Sequence, residues 1–572
     1  MYEVVVGIDF GSSGTGYAYS FNNPKNVEFG KFPFQTYEVK TPTQIILDSN
    51  LNKVLAFGKK CDSYPLGNND LFFKRIKMNL YDKKKYIKPE NNTSKSFPLE
   101  DIITKIFIYI KEEAIKTIRC NRPKITEDRI KWVVTVPAIW DLSEKSIMLI
   151  ACEKAGLLNQ NTERDNFLAL EPEAASLYCS NDESVEQEFL SPGKSYIVCD
   201  LGGGTGDIVT HHKTNEYKIN EKCSPKGGPL GSDEIDKAFF KEVFGELFGF
   251  SNFNSLLLRF YELKESKQLY WKKDDLSHEW KKLEDEIKNR KKITLDQKNQ
   301  SFKINCQIFE DFMDRNLKEL IDEFNNKCKT DWKIIISNER IWILEIPYNI
   351  FFDLIEKQAL VISKIINEIY EKENDIESIL YVGGYSSNEV LYSYFKREFH
   401  KLQHLKPSQP ENAVVKGAVL FGLNPYIINS RKAKYTIGFN CDDVWNEEIH
   451  GGIGEKYCDN NYNIFKCRNS FHTFIKKGQD ISPNDIVIQS FITMNSRIIL
   501  LKFFRSNREN PVLWTEKDVE LIGTEQLDLG KDFPEDERDF IIKLKFGGTY
   551  AHASCFHEKS KKELSFPLYF NT

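Results

Sequence analysis

Two short runs of this sequence join an aspartate to a glycine-rich turn. One is Asp9-Phe10-Gly11-Ser12-Ser13-Gly14-Thr15-Gly16, the other Asp200-Leu201-Gly202-Gly203-Gly204-Thr205-Gly206-Asp207. Glycines let backbone N–H groups close on phosphate oxygens where a Cβ would block the approach. Ser12, Ser13 and Thr205 add hydroxyl donors. Asp9, Asp200 and Asp207 would repel a phosphate alone, so they fit only with a divalent cation between; Mg²⁺ takes carboxylates, waters and phosphate oxygens together. A single such turn is most simply a tight turn with a capping aspartate. Two of them at matching strand ends point to phosphate chemistry. No G-x-x-x-x-G-K-[ST] run is present, which excludes a P-loop. The Rossmann fingerprint needs a helix after its glycines, whereas Tyr17-Ala18-Tyr19-Ser20-Phe21 alternates like a strand. Asp9-Phe10-Gly11 lacks the H-R-D loop of protein kinases.

The elements that must hold these turns repeat. Val4–Asp9 and Tyr17–Phe21 read as a strand hairpin, and Tyr196–Asp200 with Asp207–His211 as a second, about 190 residues on. Leu99–Ile118, Glu144–Ala155 (with Ser143 as N-cap), Ile235–Phe248 and Phe351–Tyr370 read as helices; Trp132–Val136 and Ile379–Val382 as buried strands. Alternating strands and helices imply an α/β class, and the repeated hairpin implies two related lobes with a cleft between them. Tyr261–Lys298, dense in both charges, reads as a solvated helical face. After Pro425 short strand-like runs predominate (Ile486–Phe491, Arg497–Phe504, Phe540–Phe546, Leu564–Phe570), which predicts a separate antiparallel β domain. The expected division is 1–426, with lobes at about 1–190 and 191–426 and an insertion at about 227–345, then 427–572.

With 572 residues the chain exceeds one hydrophobic core. Its 79 basic and 84 acidic residues leave a net charge of −5, so no basic field favours nucleic acid or anionic lipid. No basic signal-peptide start and no apolar run near the ~20 residues of a membrane span occur. The 12 cysteines include no C-x-x-C pair and read as reduced thiols of a cytoplasmic protein. His400 and His404, spaced i, i+4, lack a third ligand, and His211 and His212 face opposite ways on a strand, so neither pair makes a metal site.

In order along the chain, IDFGSSGTGYAYSF, LFFKRIKM, VVTVPAIWDLSEKS, LEPEAAS, CDLGGGTGDI, YVGGYSSNEVL and KGAVLFGLNP resemble the motifs of the actin/hexokinase/heat-shock-protein-70 ATPase superfamily. With CRNSFHTFIKKGQ and IKLKFGG they most resemble the divergent heat shock 70 kDa protein 12-like branch. That resemblance implies an actin-like duplicated ATPase fold, with ribonuclease H-like halves around a nucleotide cleft, and binding of ATP/ADP with Mg²⁺. It assigns Asp9 and Asp200 to the metal, with Asp207 nearby, and Gly11, Ser12, Ser13, Gly14, Gly202, Gly203, Gly204 and Thr205 to the phosphates. Lys74 takes the place of the family lysine that orients the attacking water and γ-phosphate; the alternative is one basic residue among Lys74, Arg75 and Lys77 on a helix face. Glu171 takes the place of the water-positioning glutamate. Gly231 falls near the ribose, Gly383, Gly384 and Tyr385 beside the adenosine, and Glu411 and Glu262 near the nucleotide.

The chain also departs from the family. Ser232 replaces a second glycine, and Tyr385-Ser386-Ser387 removes an adenine-stacking arginine. Of the adenine-side pattern only Glu262 survives, ahead of Lys264-Glu265-Ser266-Lys267. Ile427–Lys434 is a basic linker in place of an acidic–leucine one, and no long helical lid is expected, so the usual co-chaperones cannot be assumed. The leading expectation is a chaperone-like weak ATPase whose β domain binds a protein or peptide client by strand addition. The alternatives are a non-hydrolysing adaptor, or a small-molecule kinase with Asp141 as base.

Overall fold

The computed structural model describes residues 2–34, 38–67, 69–91, 95–158, 167–216, 218–264, 271–328, 330, 332–336, 342–460, 463–483, 485–492, 498–529, 539–545 and 552–568. Val4–Phe10 and Ser195–Leu201 are runs rich in β-branched and apolar residues, buried at every position, and each is central to its own sheet. A strand buried on both faces needs no polar alternation, which explains their continuous apolar reading.

The first sheet runs Leu168–Leu170, Ile130–Val136, Val4–Phe10, Gly14–Ser20, Glu28–Phe29, with Thr41–Pro42 also on Gly14–Ser20. The second runs Gln403–Leu405, Ile376–Val382, Ser195–Leu201, Gly206–Asn215, Lys218–Gly228. In both, the central strand is antiparallel to the next strand in sequence and parallel to its other neighbour. Asp9 therefore lies opposite Gly16, and Asp200 opposite Asp207. Each aspartate is the penultimate residue of its strand, beside a glycine turn. Helices Glu171–Cys179 and Ala413–Leu423 pack on each other and on the first sheet, sealing a core of Val5, Val133, Leu177, Val415, Val419 and Phe421.

Between the strands of the second sheet a helical insertion packs Phe239, Phe244, Phe309 and Phe351 into one core with Ile197, Cys199 and Leu201 of that sheet. The charged stretch is covered by helices Phe253–Lys264 and Lys273–Arg290. The second of these buries Leu276, Trp280, Leu283 and Ile287, at spacings that put one apolar stripe inward. The expected solvated face is thus only its outer side. The expected helix over Ile235–Phe248 is an α-helix Asp233–Phe239, a π-helical turn Phe240–Phe244 and a further turn Gly245–Phe248. The helix expected at Glu144 starts at Leu142, with Asp141 and not Ser143 at its N-cap.

The C-terminal strands form a five-stranded sheet (Glu455–Asp459, Ile464–Ile475, Thr436–Val444, Ile498–Ser506, Val519–Asp528) and a four-stranded one (Ile486–Ile492, Asp539–Lys545, His552–His557, Lys562–Pro567). Phe439, Phe474 and Phe503 of one meet Phe540, Ile542, Leu544 and Phe566 of the other in one core. The segment expected to be a linker is ordered: Ile428–Lys432 is a strand, with Ile428 parallel to Ile219. Its other edge pairs with Asp480–Ile481, so the second sheet continues into the C-terminal part. The pairing strands lie some 200 residues apart, which hides this from a local reading of a basic segment. All 12 cysteines are unbridged. Among the described residues no helix is long and apolar enough to cross a membrane.

Candidate functional site

The two aspartate–glycine turns meet across one cavity of about 190 Å³. Asp9, Gly11, Ser12, Ser13 and Gly14 line it from the first sheet, and Asp200, Gly202, Gly203, Gly204 and Thr205 from the second. Glu171, Gly383, Gly384 and Glu411 complete the wall, together with Lys40, Lys77 and Val414. The first turn is held by Thr43, whose hydroxyl donates to the Gly11 carbonyl at 2.7 Å and shares a 2.8 Å hydrogen bond with Thr15. The second turn is held by its carbonyls: Asp233 N–H donates to Gly203 at 2.8 Å and Ser232 N–H to Gly202 at 3.1 Å. Ser13 Oγ bridges the turns by donating to the Asp233 carboxylate at 3.3 Å.

Two glycines are dictated by space. A Cβ on Gly231 would fall 2.1 Å from the Gly203 carbonyl oxygen. Gly383 has φ +83°, and a Cβ there would lie 2.6 Å from Asp200 Oδ1. Tyr385 is buried and does not line the cavity, its hydroxyl donating to Gln358 Oε1 at 2.8 Å; Gln358 in turn donates to the Gly231 carbonyl at 2.9 Å.

Four buried carboxylates concentrate here: Asp9, Glu171, Asp200 and Asp207. Burial, then mutual repulsion with Glu171, Asp207 and Asp9, pushes the Asp200 carboxyl well up. Burial raises Glu171 too, opposed by Lys77, and raises Asp207, opposed by the Ile139 N–H that donates to its Oδ1 at 2.9 Å. Two ammonium groups answer this charge. Lys77 Nζ sits 2.5 Å from Glu171 Oε1 and over the Trp140 ring. Lys40 Nζ sits 2.5 Å from Asp9 Oδ2. Burial pulls the Lys40 ammonium down, but Asp9, Asp200 and Glu171 hold it above its ordinary value. Two lysines against four carboxylates leave a net negative cage, a donor set of the hard-oxygen kind that suits a divalent cation such as Mg²⁺.

Lys74 is not in this cage. It continues the alternation of strand Leu71–Phe73, so it shares the outward face of Phe72 and lies over that ring. Arg75 then takes a left-handed φ of 53°, the chain turns, and helix Ile76–Tyr81 carries Lys77 inward. The lysine beside Glu171 is therefore Lys77. Glu262 is also elsewhere: it is exposed and pairs with Arg259. Glu265, Ser266 and Lys267 lie outside the described residues. Just past helix Lys273–Arg290, Lys291 donates to the Ser232 carbonyl and to Asp236. Lys40 carried no motif signal; Lys77 was readable only as a basic residue on a helix face.

Asp141 stands outside the cavity. It bonds Lys434 Nζ at 2.5 Å and the Tyr435 hydroxyl at 2.8 Å, and lies 3.3 Å from Arg505. Burial pushes its carboxyl up, yet these partners, Lys434 first, bring it down to about 2. A carboxylate so held is a poor general base. Lys434 also donates to the Ile139 carbonyl at 2.8 Å, one peptide from the N–H that holds Asp207. Arg431 makes a two-pronged pair with buried Glu173 at 2.6 and 2.7 Å.

No family profile matches the chain. It is 24% identical to human heat shock 70 kDa protein 12A over 99% of its own length and 91% of that protein's. The mouse protein of the same name aligns equally, and human heat shock 70 kDa protein 12B is 22% identical over 96% of this chain and 88% of its own. The ordered motifs and this end-to-end similarity make the chain a divergent relative of the heat shock 70 kDa protein 12 branch of the heat shock protein 70 family.

Proposed function

We propose that the two sheets are the duplicated lobes of an actin-like ATPase and that the cavity between them binds the phosphates of ATP or ADP with Mg²⁺. The observation that carries this is the convergence of both aspartate–glycine turns and the Lys77–Glu171 pair on one cavity. The matching strand order of the two sheets supports the duplication. Asp9 and Asp200 would hold Mg²⁺, which supplies positive charge against the phosphate oxygens. Ser12, Ser13 and Thr205 offer hydroxyls to the phosphates. Glu171 orients an attacking water, and Lys77 fixes the rotamer of Glu171 while presenting its charge to the departing phosphate. The step is in-line attack of water on the terminal phosphate, releasing ADP and phosphate, with no covalent intermediate.

In this reading nucleotide state biases the C-terminal β domain. The support is the Asp207–Ile139–Lys434–Asp141 relay, together with strand Ile428–Lys432, which shares edges with both parts. One of the two outer strands of the four-stranded sheet, Ile486–Ile492, exposes Ile486 and Ile488 and offers an edge for an extended client peptide. A second reading, a non-hydrolysing adaptor, gains from the Lys40–Asp9 pair, which supplies a cation within the cavity even without metal. The test is phosphate release by the full chain under saturating Mg-ATP. Glu171→Gln and Lys77→Ala should each lower it by about 10²-fold or more, with ADP binding kept. Nucleotide binding by the wild type with no turnover would leave the adaptor.

A further inference from the structure

Cys441 and Asp443 are two apart on strand Thr436–Val444, so their side chains share a face. His472, on the antiparallel neighbour Ile464–Ile475, projects on that face beside them. Its Nδ1 lies 2.8 Å from Asp443 Oδ1, and the Cys441 thiol donates to that same oxygen at 3.2 Å. One thiol, one carboxylate and one imidazole thus converge with their donor atoms within 4.8 Å of one another. The strand pairing shifts register between Cys441 and Asp443, where Asn469 takes φ 59°. Bulges of this kind re-aim side chains beside functional sites.

A second observation points the same way. From the facing sheet, Gln489 brings its amide beside the His472 ring. Its Oε1 is buried, and the side chain hydrogen-bonds the His472 ring. A buried amide acceptor beside a thiol–carboxylate–imidazole set is placed to serve as a fourth ligand.

We propose that Cys441, Asp443 and His472 form a transition-metal site, with Zn²⁺ the ion its chemistry favours and Gln489 Oε1 or a water in the fourth position. Tetrahedral zinc at about 2.0–2.3 Å from S, N and O places its ligand atoms roughly 3.3–3.8 Å apart, so the triad needs to open by less than an ångström. Mixed sulfur, nitrogen and oxygen donors select zinc over magnesium or calcium. Binding displaces the thiol proton of Cys441 and any proton on the coordinating nitrogen of His472, both released to solvent. His472 and Asp443 are each about a third exposed, at 31% and 32%, which leaves the ion a path inward. The occupied site pins two strands of the five-stranded sheet against Gln489 of the other.

The full chain, stripped with a chelator and kept reduced, is titrated with Co²⁺ and then Zn²⁺. One equivalent of Co²⁺ should give the near-ultraviolet thiolate-to-cobalt band, and Zn²⁺ should displace it. The band should vanish in Cys441→Ser and the affinity fall at least tenfold in His472→Ala. Cys458→Ser, which removes an exposed thiol of the same domain, should keep it. A wild-type chain without the band, or a Cys441→Ser chain that retains it, overturns the proposal; the wild-type result stands even if a variant fails to fold.

Discussion

Lys40→Ala removes one of the two positive charges in a cage of four carboxylates. At the Nζ–Oδ2 separation of 2.5 Å, with an effective dielectric near 20, the attraction to Asp9 is about 7 kcal/mol. Desolvation opposes it, and removing one partner of such a pair costs about 3–5 kcal/mol net. The Lys40 side chain is 24% exposed, which places the cost at the lower end of that range. The freed Asp9 then depends on an added cation. Differential scanning fluorimetry should find Lys40→Ala melting several degrees below wild type in EDTA, with millimolar Mg²⁺ closing much of that gap and moving the wild type less. Lys40→Met, which keeps the aliphatic stem, separates lost charge from lost packing and should respond to Mg²⁺ as Lys40→Ala does. An equal response to Mg²⁺ in wild type and both variants would refute the view that Lys40 and a divalent ion share Asp9.

Three further outcomes follow from the same geometry. Lys74→Ala should leave phosphate release within about threefold of wild type while Lys77→Ala abolishes most of it; equal losses would contradict the placement of Lys77 beside Glu171. Burial and neighbouring Glu173 push the Glu221 carboxyl up to about 8, against an ordinary 4.5. The stability this group contributes is full below about pH 4.5 and lost as pH rises through 8, up to about 5 kcal/mol. Glu221→Gln should therefore gain on wild type in urea melts as pH goes from 6 to 9, and a pH-independent difference would count against it. Arg431→Ala strands Glu173 in the interior at a cost of about 3–5 kcal/mol; limited proteolysis should then open a new cut near residues 428–436, and an unchanged digest would show that Arg431 does not fasten the two parts.

The legible parts of this chain were those written locally. Each aspartate–glycine turn carries its strand, its turn and its donors within eight residues, so both could be found, and they do converge. The lysines could not be read that way. Lys77 meets Glu171 94 residues on only because Arg75 turns the chain left-handed, and a linear reading stops at Lys74. Lys40 reaches Asp9 from the end of a stretch with no periodicity of its own. Asp141, weighed as a kinase base, sits at a helix N-cap with its carboxylate given to Lys434, Tyr435 and Arg505, about 300 residues downstream or more. The basic segment Ile427–Lys434 read as a free linker because its strand partner and the carboxylate that balances Arg431 are equally remote. Composition shows which residues are charged but not which charges meet.

Isothermal titration of the full chain with ADP, in Mg²⁺ and again in EDTA, tests the nucleotide cleft most directly. The account predicts one ADP per chain, bound more tightly with Mg²⁺, and binding lost when Asp200→Asn is combined with Asp9→Asn. An absence of ADP and ATP binding under both conditions, or binding untouched by that double change, would contradict it.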